Sequence, residues 1–185
     1  MFKRNPDVDI DVLRFQRSQR YFCSNFFDVA AATATLSANN LYASPIFIPV
    51  TTAFDQIAIN VTTAVAGNAR LGIYEDNGRV YPGRLVIDAG EVATGTTGVK
   101  TISIARTLQG GKLYWVAIAI NNGSAIRSLA VGSLLASYLG LDSTLGTAFA
   151  VGYTISQTYG ALPNPFPTGA TIATAHSSGV FLRKR

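Results

Sequence analysis

Apolar and polar residues alternate along much of this chain with a period of two. The clearest run is Phe54-Asp55-Gln56-Ile57-Ala58-Ile59-Asn60-Val61-Thr62, where Ile57, Ile59 and Val61 fall on one face. That period belongs to a strand with one buried side. Arg70 to Glu75 repeats it, with Leu71 and Ile73 together, and Val99 to Ile104 alternates again. Phe47-Ile48-Pro49-Val50 predicts a short strand with an edge-type proline. Leu85-Val86-Ile87 predicts a buried strand ended by Asp88-Ala89-Gly90. The stretch from Leu113 to Ile120 has no polar side chain except the tip groups of Tyr114 and Trp115. It is far too short to span a membrane. It therefore predicts a central strand covered on both faces, with Trp115 and Ile118 in the core. A late strand is expected within Ala148 to Ser156.

Turn residues punctuate these runs. Asn77-Gly78 suits the two positive-φ positions of a tight hairpin, and Pro82-Gly83 predicts a second turn. Gly110-Gly111 breaks the chain before the apolar strand, and Pro163, Pro165 and Pro167 predict a loop. The Ala-Thr stretch from Ala30 to Ala38 reads as a short helix or a loop, and 131–142 allows one short helix. Short strands with turns about 8–12 residues apart predict an all-β, antiparallel β-sandwich or barrel. No internal repeat and no heptad pattern is present.

The two ends differ from this body. Residues 1–30 read as an N-terminal anchoring arm, and residues 31–185 as the sandwich domain with a basic C-terminal tail. Asp7-Val-Asp-Ile-Asp-Val alternates like a strand that could add to a partner's sheet edge. The arm's candidate anchors are Lys3, Arg4, Arg14, Phe15, Arg17 and Arg20. Arg14, Arg17 and Arg20 fall three apart, which on a helix would gather them on one side facing an acidic partner.

Charge sharpens this division. The formal net charge is +5. Five basic residues against Asp7, Asp9 and Asp11 leave residues 1–20 at +2, and Arg183-Lys184-Arg185 adds +3. The residues between carry seven charges of each sign. A neutral body with basic ends has no electrostatic track for nucleic acid, so no specific nucleic-acid partner is expected. Basic ends instead suit docking to protein neighbours. Only 14% of the chain is charged while 48% is hydrophobic, a balance that favours large shared interfaces. The opening Met-Phe-Lys-Arg-Asn-Pro-Asp lacks the apolar stretch of a secretory leader. The expectation is a cytoplasm-like setting, or exit inside a particle.

Candidate chemistry is sparse. Cys23 is the single cysteine, so an intrachain disulfide is excluded and a small core hydrophobe is expected. His176 is the single histidine, so any Ser-His-Asp or Cys-His site would have to use it. One Cys and one His do not make a tetrahedral zinc set. Glycoside hydrolysis would need two converging carboxylates. Asp76 and Asp88 sit at turn signals, where Asp serves local hydrogen bonds. Asp76-Asn77-Gly78 lacks the remaining spacing of a calcium loop, and Gly110-Gly111 precedes a strand and so is no phosphate cradle. No cofactor and no catalytic residue are expected. For sugar stacking, Tyr74, Tyr81, Tyr138, Tyr153 and Tyr159 are better surface candidates than Trp115.

The runs Leu41-Tyr42-Ala43-Ser44-Pro45, Phe54-Asp55-Gln56-Ile57, Leu71-Gly72-Ile73-Tyr74, Tyr81-Pro82-Gly83-Arg84-Leu85-Val86, Asp88-Ala89-Gly90 and Leu113-Tyr114-Trp115-Val116-Ala117 together carry a resemblance. Residues 40–130 resemble the β-sandwich modules of tailed-bacteriophage appendage proteins of tail-fibre, receptor-binding, baseplate and head-fibre type. The resemblance implies a jelly-roll-like sandwich, often trimeric, on a virion or at a host surface. It implies partners among other virion proteins, and a host-surface glycan as a possible ligand. The expected function is a non-enzymatic virion component. The rival expectations are a carbohydrate-binding module or glycan-processing enzyme, and a capsid decoration protein without ligand.

Overall fold

A computed structural model describes residues 16–23, 31–129, 150–174 and 177–185. Lys3, Arg4, Arg14, Phe15, Tyr138, His176 and the helix expected over 131–142 lie outside the described residues. Within them the chain is all-β, with twelve strands and no helix. These are β1 (Tyr21–Phe22), β2 (Ala31–Thr35), β3 (Asn40–Ile48), β4 (Thr52–Thr63), β5 (Asn68–Asp76), β6 (Pro82–Ala93), β7 (Gly98–Leu108), β8 (Lys112–Ile120), β9 (Ala125–Leu129), β10 (Gly152–Ser156), β11 (Thr171–Ala173) and β12 (Phe181–Lys184).

The strands form two antiparallel sheets packed as a sandwich. The back sheet runs β11-β10-β3-β8-β5-β6. The front sheet is built around β4, which pairs with β7 along one edge. On its other edge β12 takes the first half and β9 the second, with β1 and β2 outside them. From β2 to β5 the chain changes sheet at every connection, as jelly rolls do.

The inter-sheet core follows the alternation. Phe54, Ile57, Ile59, Val61, Ile126 and Leu182 point in from the front, and Leu71, Ile73, Val116, Ile118 and Ile120 from the back. Each such side chain contributes about 1.5–3 kcal/mol when fully buried. β8 pairs with β3 and β5 on its two edges, so it is central. Tyr114, Val116, Ile118 and Ile120 enter this core, whereas Trp115, Ala117 and Ala119 enter a second apolar cluster on the other side of the same sheet. Two buried faces explain why this strand has no polar alternation.

Several local expectations change. The Ala30–Ala38 stretch, read as helix or loop, forms β2, which pairs with β9 in full register from Ala31 to Thr35. Pairing on β9 overrides the weak helical preference of alanine. Strand β3 begins at Asn40 and contains Pro45, while Pro49 lies beyond its end. Pairing of β3 with β10 stops at Ala43, two residues before that proline, so the missing N–H breaks no bond on that side. The Asn77-Gly78 turn is not a two-residue hairpin: residues 77–81 form the loop, with positive φ at Gly78 (86°) and Val80 (55°). Asp76 and Asn77 side chains accept from the Gly78 and Arg79 amides and organise it. Pro82-Gly83 opens β6 and makes no turn. Asp88-Ala89-Gly90 does not end that strand: Leu71 opposes Gly90 and Gly72 opposes Asp88, leaving Ala89 as a bulge. Gly90 takes φ 99° there, which a side chain would resist.

Candidate binding face

The outer faces of the two sheets are treated differently. Behind the back sheet, residues 157–170 cross from β10 to β11 as a strap. Leu162 and Phe166 press into a cluster with Tyr74, Trp115 and Tyr153. Phe166 meets the Tyr74 ring edge-on at 5.2 Å and the Tyr81 ring at 5.9 Å. Polar bonds stitch both margins. Tyr74 donates its hydroxyl to the Pro163 carbonyl (2.9 Å) and Tyr81 to the Pro167 carbonyl (2.6 Å). The Leu162 amide donates to Asp88 Oδ2, the Phe166 amide to the Gly83 carbonyl, and the Leu85 amide to Asn164 Oδ1. Gly72 lies beneath Leu162, where a Cβ would collide with the leucine side chain.

This arrangement accounts for the aromatic candidates among the described residues. Trp115 is fully buried, and its Nε1 donates to Asp76 Oδ2 at 2.9 Å. Tyr74 is fully buried, Tyr153 nearly so, Tyr81 is half-buried under the strap, and Tyr159, on the strap itself, is half-buried against the same cluster. They are not stacking surfaces, because the strap folds back over Tyr74, Tyr81 and Tyr153 and turns its own Tyr159 toward the same cluster. Burial, and then the Asp88 charge, raises the Tyr74 hydroxyl pKa. Burial, and then the Glu91 charge, pushes Tyr159 up to about 12.

The carboxylates of β5 and β6 serve the fold. Arg70 bonds Asp88 through Nε (2.8 Å) and Glu91 through Nη1 (2.8 Å). Asp88 also accepts the Gly90 and Leu162 amides, and Glu75 pairs with Arg84 at 2.7 Å. Asp76 holds the Trp115 indole and the Gly78 amide. A carboxylate holding several donors in place is an acceptor in a scaffold, not a free general acid. Among the described residues no three His, Cys, Asp or Glu side chains gather as metal ligands.

The front sheet's outer face has no such cover among the described residues. Tyr21 is 41% exposed and Val99 60% exposed. With Ala58, Phe181 and Arg127 they line a shallow apolar dip of about 160 Å³. Beside it, β4, β7 and β12 enclose a cleft of about 530 Å³ lined by Asp55, Gln56, Ser103, Arg106, Arg183 and Arg185 among others. Arg183 and Asp55, 128 residues apart, form a two-pronged pair with Nε to Oδ1 at 2.9 Å and Nη2 to Oδ2 at 2.8 Å. That hydrogen bonding from Arg183 holds Asp55 below its ordinary pKa of 3.8, against an opposing effect of burial. Tyr21 donates to Gln56 Oε1 at the boundary of dip and cleft.

The described anchoring candidates lie near this face. Residues 16–23 run along β12 and complete the front sheet through β1: the Gln19 amide donates to the Lys184 carbonyl, and the Lys184 amide to the Arg20 carbonyl. Arg17 and Arg20 are exposed. Ile57, Ile59, Leu71, Ile73, Trp115 and Ile118 are all buried. The strap and the cleft were not anticipated. The strap's signal was its apolar residues, Leu162 and Phe166, set among prolines and glycines. The cleft has no local signal, since its residues come from three distant strands. No protein-family model, no curated protein and no solved structure matches this chain.

Proposed function

We propose that this chain is a non-enzymatic structural component of a tailed-phage virion, an oligomeric appendage of fibre, baseplate or receptor-binding type docked through its N-terminal segment. The observation that carries this reading is the contrast between the two outer faces. The chain's own strap covers the back sheet, while among the described residues Val99 and the Phe181 side of the dip leave apolar surface on the front sheet for another molecule. The strand-and-turn resemblance over residues 40–130 supports the same reading, and the structural duties of Asp76, Asp88, Glu75 and Glu91 weigh against a glycan-processing enzyme. On this reading the partners are further copies of the chain, most simply in a trimer, and other virion proteins. The chain resides in the particle after assembly in the host cytoplasm.

The test is purification of the particles followed by mass spectrometry and imaging with a labelled chain. The chain should be present in fixed proportion to the other structural proteins and should map to an appendage. A chain found only free in the lysate contradicts the proposal, and a uniform coat over the head supports the capsid-decoration alternative instead.

A further inference from the structure

The described charges are segregated although the middle of the sequence is neutral. Of the five described acidic side chains, Glu75, Asp76, Asp88 and Glu91 lie on β5 and β6 of the back sheet, and only Asp55 lies on the front sheet. The cleft between β4, β7 and β12 therefore sets three guanidiniums, Arg106, Arg183 and Arg185, against one acidic side chain. We propose that this cleft binds an acidic sugar, meaning a saccharide that carries a carboxylate or sulfate group.

Three features make the cleft a site and more than a patch of surface arginines. Asp55 occupies two of the five donors of Arg183 and fixes that guanidinium in place, leaving the others free to donate. Arg106 and Arg185 have no acceptor among the described residues, so their donors are available to an oxyanion. Lys184 does not line the cleft, and its ammonium points to the Gln16 carbonyl at 2.6 Å. Ser103 and Thr107 add hydroxyls to the lining. At the boundary with the dip, Tyr21 is held by its bond to Gln56 with its ring partly exposed. A pyranose ring can lay its C–H face on that ring while its charged group reaches the guanidiniums. A nucleic acid fits less well. It needs a basic track with successive stacking aromatics, and here the charge gathers in one cleft with one aromatic beside it. The inference goes beyond the assembly reading, since a monomer would carry the same cleft.

The experiment is titration of the intact, amide-labelled protein followed by NMR, with trigalacturonic acid, galactose 6-sulfate and neutral galactotriose as probes. One or both acidic probes should bind at millimolar concentration or below and shift the Ser103, Arg106 and Thr107 amides, and the neutral probe should not. The carboxylated and sulfated arms identify the preferred group. Arg106→Gln should weaken binding by about tenfold at an unchanged melting temperature. Tyr21→Ala should weaken the sugars while leaving the response to inorganic sulfate as it was. The inference is overturned if neutral and acidic sugars behave alike, if Arg106→Gln binds as well as the parent, or if twelve-residue oligothymidylate displaces the sugars at lower concentration.

Discussion

Trp115 shows how far single residues could be read. Its burial followed from the unbroken apolar run around it, but its place did not. It sits on the strap side of β8, not between the sheets, and its indole N–H is taken by Asp76. Alternation assigns residues to two faces without saying what covers each face. Trp115→Ala is expected to cost about 3–5 kcal/mol, the usual range for emptying a large aromatic site. A thermal melt checks this, and an unmoved transition would mean that the strap does not seal the indole. At the same scale, Asp55 and Arg183 form a titratable pair. The folded pKa of Asp55 lies below 3.8, so its stabilising contribution is present above that pH. It is lost as pH falls through the lower folded value. Carboxyl NMR should show the Asp55 midpoint rising toward 3.8 in Arg183→Gln. A midpoint that stays put would show that the pair is not formed in solution.

At the scale of elements, the long strands were legible because each presents an unambiguous pattern. Strands β4 and β5 alternate, and β8 is apolar throughout. Strand β2 was not legible, since Ala-Ala-Thr-Ala-Thr becomes a strand only through pairing with β9. The strap is the element that sequence reading most undervalued. Its prolines mark it as irregular, yet it acts as a third layer whose backbone bonds to Asp88, Gly83 and two tyrosine hydroxyls. Tyr74 beneath the strap and Tyr159 on it set an alkaline limit. Tyr74 and Tyr159 have folded pKa values raised above their ordinary 10.0, so the protons they keep stabilise the closed strap below pH 10. That contribution declines as pH rises past 10 and through about 12 for Tyr159. Acrylamide quenching of Trp115 fluorescence should therefore increase across this window, and Tyr159→Phe should move the change upward. Quenching that stays low beyond that window, or the same curve in the variant, would contradict this account of strap closure.

At the scale of the molecule, fold class was accessible from patterning and turn chemistry, while surface function was not. Charges that cancel along the sequence separate in space: Arg106, Arg127, Arg183 and Arg185 come to the front sheet from three different strands and the chain beyond β12, and no spacing rule joins them. The apolar dip arises likewise, from Tyr21, Val99 and Phe181 meeting across β1, β7 and β12. The front sheet thus carries the open apolar surface, the basic cleft and the N-terminal segment that leads into β1. An exposed face of this kind in a chain of low charge is suited to self-association. Light scattering on the purified full-length chain tests that claim directly. The account predicts a defined oligomer, with a mass three times 19.6 kDa for a trimer, that dissociates when Val99 and Phe181 are both replaced by Asp at an unchanged fold. A monodisperse 19.6 kDa monomer at tens of micromolar would contradict it.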